Sequence, residues 1–142
     1  MKYLKVIHIG DFIKKRYQEL GSPVDRVCTF LNCPKEEIEQ TFLKEMIDTD
    51  KLLKWSKLLE YDFFRLYSHH LLLYAPVASN NVNKQHQTSL PEFRKNIYTK
   101  EIIDYVLMLI KSQEKTPEEI IKDYRIPKTT LYRWINKNKS EK

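Results

Sequence analysis

Thr129 and Arg133 stand four residues apart in the string Ile126-Pro127-Lys128-Thr129-Thr130-Leu131-Tyr132-Arg133-Trp134-Ile135. On a helix that spacing puts both side chains on one face, with Leu131, Trp134 and Ile135 turned away from it. An arginine can donate two hydrogen bonds to O6 and N7 of a guanine, and a threonine offers a hydroxyl and a methyl to a neighbouring base edge. Lys128, Lys137 and Lys139 flank the same stretch and suit phosphates, which set register but carry no sequence information. Tyr132 could reach a phosphate through its hydroxyl or simply pack. Lys128, Thr129, Thr130, Tyr132, Arg133 and Lys137 are therefore the candidate DNA-binding residues, and their chemistry is recognition of duplex DNA rather than catalysis.

Reading a major groove needs a second helix to hold the first at a steep angle. The pattern that does this has a small or apolar residue late in one helix, a turn residue four later, then an apolar residue, a helix opener, and an apolar residue four after that. Ile121, Arg125, Ile126, Pro127 and Leu131 meet it. Cys28, Asn32, Cys33, Pro34 and Ile38 meet it again, at an offset of 93 residues.

The surrounding sequence supplies helices to carry both turns. Ile9–Leu20 places Ile9, Phe12, Ile13, Tyr17 and Leu20 on one face and stops at Gly21. Pro23 opens a second helix with Val24, Val27, Cys28 and Leu31 inward. Asn32 can take the left-handed turn conformation. Pro34 opens a third helix with Ile38, Phe42 and Leu43 apolar. Asp48 can cap a fourth, Thr49–Leu59, with Leu52, Leu53, Trp55, Leu58 and Leu59 inward. Asp62 starts a fifth, Phe63 to about Tyr74. Further on, Thr99 can cap a helix with Ile102, Ile103, Val106, Leu107 and Ile110 inward. Thr116-Pro117-Glu118-Glu119 is a capping box with proline at the first helical position. Pro127 opens the last helix. Outside Tyr3–Ile9 nothing has strand character, so the expected fold class is all-α. The polar segment Ala75–Pro91 has neither a helical nor a strand period and reads as a flexible linker. The expected organisation is a five-helix domain at 1–75, a linker at 76–91 and a three-helix domain at 92–142. The segment from about residue 90 to 142 is expected to bind DNA by itself.

The first part resembles the phage-repressor (Cro-type) helix-turn-helix family in its five-helix layout and its turn, more loosely at the third helix, where that family usually has polar or basic residues. The second part, through the string Ile126–Ile135, resembles the DNA-binding domains of Hin-type recombinases, pipsqueak-type domains and small transposase helix-turn-helix subunits. In the Hin-like pattern a small hydroxyl residue and an arginine on the third helix read base edges, and those places fall on Thr129 and Arg133. Pro127 stands where that pattern usually has serine, which removes one hydroxyl contact to the DNA backbone. Such domains carry a basic arm before their first helix, lying in the minor groove. Phe93-Arg94-Lys95-Asn96 occupies that place, so Arg94 and Lys95 join the candidate set, with a solvated charge pair at a linker end as the plainer reading. The resemblance implies a bacterial sequence-specific DNA-binding protein, either a transcriptional regulator or the DNA-recognition subunit of a mobile element.

Charge and composition agree with that and exclude other classes. Of 142 residues, 25 are Lys or Arg and 19 are Asp or Glu, a net charge of +6. Residues 92–142 hold 12 basic and 8 acidic residues, while 1–75 hold 12 and 11, so phosphate contacts are expected first in the last third. The two glycines, Gly10 and Gly21, lack the tight spacing of a P-loop and are too few for a dinucleotide fingerprint, and two cysteines make neither a disulfide framework nor a four-cysteine zinc site. Cys28 and Cys33 with His69 and His70 lack finger spacing, and adjacent helical histidines point about 100° apart; they read as small turn residues and surface decoration. Two helical domains and a linker leave no room for a recombinase's catalytic domain, and Asp48, Asp50 and Asp62 read as capping residues. No cofactor, metal or enzymatic activity is expected. There is no apolar run of membrane-spanning length and no signal-peptide layout, so a soluble cytoplasmic protein is expected.

The two turns differ in charge. At the 93-residue offset Glu36 stands where Thr129 does, Glu37 for Thr130, Glu39 for Tyr132 and Gln40 for Arg133. Three carboxylates on one helix opening repel phosphates, so the first domain is expected to serve mainly in self-association or partner binding. The apolar surface for that is expected on the fifth helix, at Phe63, Leu66, Tyr67 and Leu71–Tyr74. The rival readings are an adaptor whose helical domains bind protein partners, with DNA binding incidental, and, less favoured, an active transposase.

Overall fold

A computed structural model of the chain describes residues 5–75, 89–91 and 98–140, and every regular element among them is an α-helix. In order these are α1 (Ile9–Leu20), α2 (Val24–Leu31), α3 (Lys35–Phe42), α4 (Thr49–Leu58), α5 (Phe64–Tyr74), α6 (Lys100–Lys111), α7 (Pro117–Tyr124) and α8 (Lys128–Ser140). The chain divides into two compact units, Met1–Ser68 and His69–Lys142. The division falls inside α5, ahead of the 75/76 boundary expected from the sequence. Most of the expected linker (76–88) and the arm residues Arg94 and Lys95 lie outside the described residues.

In the first unit α1 begins where the backbone N–H of Asp11 donates to Nδ1 of His8 at 3.2 Å and ends at Gly21, which has φ 58°. Its inward face joins Val27, Ile38, Leu52, Trp55, Leu58, Leu59, Phe63 and Leu66 in one core, with Ile9 and Ile13 fully buried. The segment after α3 runs across the start of α1. Ile9 N–H donates to the Glu45 carbonyl at 3.2 Å and Gly10 N–H to the Lys44 carbonyl at 3.0 Å. Backbone approaches that close leave no room for a Cβ at Gly10, which is buried.

Three expected core leucines face solvent instead: Leu20 at the last turn of α1, Leu43 just beyond α3 and Leu53 on α4. At helix ends the periodic face no longer meets a neighbour, and Leu53 lies about 100° around α4 from the buried Leu52. Thr41 takes the buried place on α3 and satisfies its hydroxyl by donating to the Glu37 carbonyl at 2.8 Å. Asp48 and Thr99 stand at helix starts, but neither side chain accepts a capping bond there. Asp62 does, from Phe64 N–H at 3.1 Å.

The apolar excess of α5 is not an open surface. Phe63, Leu66 and Leu73 are buried, and of the expected residues only Tyr67 and Leu71 are exposed. The reason lies in the division of the chain. Leu66 belongs to the first unit's core, whereas the Tyr74 hydroxyl lies 3.1 Å from that of Tyr105 in the second unit. Burial and the Tyr105 hydroxyl hold the Tyr74 phenol above its ordinary range.

In the second unit α6 turns Ile102, Val106 and Leu109 inward, with Ile103, Leu107 and Ile110 half-buried. Helix α7 opens with both halves of the capping box: Glu119 N–H donates to Thr116 Oγ1 at 3.2 Å, and Thr116 N–H to Glu119 Oε2 at 2.8 Å. Ile120, Tyr124, Ile126, Leu131 and Trp134 complete the buried set. The Tyr98 ring meets Trp134 edge-on at 5.0 Å.

Candidate nucleic-acid interface

The two turns have the same backbone. Helix α2 ends at Asn32 with φ 50° and ψ 50°, and α7 ends at Arg125 with φ 53° and ψ 35°. Each is followed by one apolar residue, a proline and the next helix. Burial repeats at the same offset: Val27 and Ile120 are buried on the first helices, Ile38 and Leu131 on the second. The apolar residue of the turn is Cys33, half-buried, in one case and Ile126, buried, in the other. Helix α2 packs on α3 and α7 on α8.

With Leu131 and Trp134 held inward, the opposite face of α8 is fixed. Thr129, Arg133 and Lys137 are exposed at successive i, i+4 positions and form one stripe, with exposed Lys128 and Lys139 beside it. Tyr132 is half-buried and Lys128 Nζ lies 5.9 Å from its ring centroid, so ring packing accounts for much of this side chain. Thr130 is half-buried as well. Helix α8 contains no acidic residue from Lys128 to Ser140. Its first turn therefore leaves the partial positive charge of the helix N-terminus uncompensated by its own side chains.

Helix α3 is arranged oppositely. Glu36 and Glu37 occupy its first turn. Lys51 of α4 donates to Glu37 Oε1 at 2.9 Å, and that bond and the lysine's charge hold the Glu37 carboxyl below its usual range. Lys35 lies 4.0 Å from Glu39. Cys28 and Cys33 are half-buried around the turn, where Cys33 N–H donates to the Cys28 carbonyl at 3.1 Å. Burial pushes the Cys33 thiol up, and Glu37 adds to this. His69 and His70 are not surface decoration: both are half-buried, and the His70 ring lies 4.8 Å from that of Tyr74. Among the described residues no three His, Cys, Asp or Glu side chains converge as metal ligands.

The sequence pattern marks Arg125 only as a turn position. It is exposed and held left-handed, a conformation that costs a non-glycine residue roughly 1–2 kcal/mol. Its alignment with Asn32, a residue that tolerates this region, was the available signal. Arg125→Gly is expected to raise the stability of the second unit by about 0.5–1 kcal/mol, since relief of strain outweighs the added freedom of the unfolded chain. Thermal unfolding checks this, and a lowered midpoint would refute it.

No helix among the described residues is long and apolar enough to cross a membrane. No family model, curated protein or solved structure matches the chain.

Proposed function

We propose that this protein binds duplex DNA sequence-specifically, with α8 as the recognition helix of a helix-turn-helix in the second unit. The observation that carries this is the exposed Thr129–Arg133–Lys137 stripe on a helix free of acidic residues and anchored from behind by Leu131 and Trp134. Arg133 and Thr129 meet base edges, while Lys128 and Lys137 hold phosphates. Arg94 and Lys95 add a minor-groove contact beside the core site. The first unit repeats the helix-turn-helix scaffold, but the carboxylates of α3 keep it from reading DNA, and it serves contacts with protein. The protein acts as a transcriptional regulator or as the recognition subunit of a mobile element and does not itself cut DNA.

Selection from random duplexes should return a preferred site. On that site Arg133→Ala is expected to cost about 1–3 kcal/mol and relax one base position. Lys137→Ala should weaken all sequences alike and flatten the salt dependence by about one phosphate contact. Mobility-shift titrations at several salt concentrations measure both. An Arg133→Ala variant with unchanged affinity and preference would show that another element reads the bases. A parent protein with no steep loss of affinity as salt rises would favour the adaptor reading instead.

A further inference from the structure

Helix α6 has a second face that its own unit covers only in part. Ile102, Val106 and Leu109 are buried. On the opposite side Asp104, Leu107, Met108 and Lys111 follow one another at i, i+3, i+4 and i+7, which makes one continuous stripe. Asp104 and Lys111 are exposed at its ends, Met108 is 41% exposed and Leu107 half-buried at its middle. The stripe forms one wall of an open groove of about 420 Å³ whose other wall is Ile135 and Lys139 of α8. Neither Asp104 nor Lys111 takes part in an ion pair among the described residues.

We infer that this stripe is an interface with a second copy of the chain, formed by antiparallel pairing of α6 with its counterpart about a two-fold axis passing between Leu107 and Met108. The pattern is self-complementary about that point. Asp104 and Lys111 lie equally far from it along the helix, about 5 Å each. A two-fold therefore sets each Asp104 against the Lys111 of the other copy and each Leu107 against the other Met108. A two-fold contact requires this kind of reciprocity, because the same patch must fit itself. Parallel pairing would set Asp104 against Asp104 and Lys111 against Lys111, so the ends select the orientation as well as the partner. On α8 the groove uses Ile135 and Lys139, and the Thr129–Arg133–Lys137 stripe stays clear of the contact.

The pairing does not rest on DNA recognition and is tested without DNA, by sedimentation equilibrium of the full chain over a range of concentrations. The parent should dimerise. Asp104→Lys and Lys111→Asp should each raise the dimer dissociation constant by at least about tenfold through like-charge contacts, and the two together should restore dimerisation. Met108→Asp should yield a monomer with unchanged helical circular dichroism. Should Met108→Asp fail to fold, the charge reversals, made at exposed positions, still decide the matter. A parent that stays monomeric up to about 1 mM, a dimer indifferent to the reversals, or a double reversal that fails to restore pairing would each overturn the assignment.

Discussion

Gly10→Ala should destabilise the first unit by about 2–3 kcal/mol, as expected for forcing a methyl into a closed backbone junction. In an ordinary helix interior the same change helps, because alanine is the better helix former by roughly 0.5–1 kcal/mol. Here the added Cβ would lie 2.6 Å from the carbonyl oxygens of both Phe42 and Thr41 and 2.7 Å from that of Lys44. No side chain can swing aside to relieve this, since all three obstacles are backbone. The chain after α3 would have to lift from α1, and the bonds of Ile9 and Gly10 to the carbonyls of Glu45 and Lys44 would lengthen with it. Trp55 and Trp134, the two tryptophans of the sequence, fall one in each unit. Urea unfolding in a Trp134→Phe background would follow the first unit through Trp55 alone. A Gly10→Ala protein as stable as its parent, or more so, would show that the junction is looser than these distances require.

Trp134→Ala should cost the second unit about 3–5 kcal/mol, the range for removing a large buried aromatic. Trp134 is 8% exposed and packs edge-on against Tyr98. Its neighbour Arg133 is exposed, so Arg133→Ala should leave unfolding nearly unchanged while weakening DNA binding. Two adjacent substitutions thus separate by mechanism, one losing the scaffold and the other only the contact. Chemical unfolding of both variants alongside DNA titration makes the comparison. Equal stabilities would mean that α8 is not anchored through its indole.

The elements themselves were readable because their punctuation is local. Gly21, Asn32 and the Thr116–Glu119 box mark helix ends through backbone conformation and hydrogen bonds that involve only a few residues, and α1 falls on its expected bounds. What could not be read depends on neighbours distant in sequence. Gly10 is required by the carbonyls of Thr41, Phe42 and Lys44, and Leu43 is exposed because α3 ends before it. The apolar α5 looked oversupplied for one buried face because periodicity cannot show that its two ends belong to different units. The α8 stripe was legible from spacing alone, whereas the outer stripe of α6 was hidden because the expected inward set held Leu107 and not Leu109, and burial reverses the two.

The hydroxyl pair between Tyr74 and Tyr105 bears on where the chain can be cut. A truncation starting near residue 90 keeps all of α6, α7 and α8, yet it discards Tyr74 together with the buried Leu73. The phenol of Tyr105 then loses one of its partners, and the ring of Tyr124 loses its edge-on contact with Tyr74 at 6.5 Å. The minimal excisable module therefore begins at His69, and a nested deletion series should show a step in melting temperature on passing from 69 to 75 rather than at the prolines that bracket the polar segment.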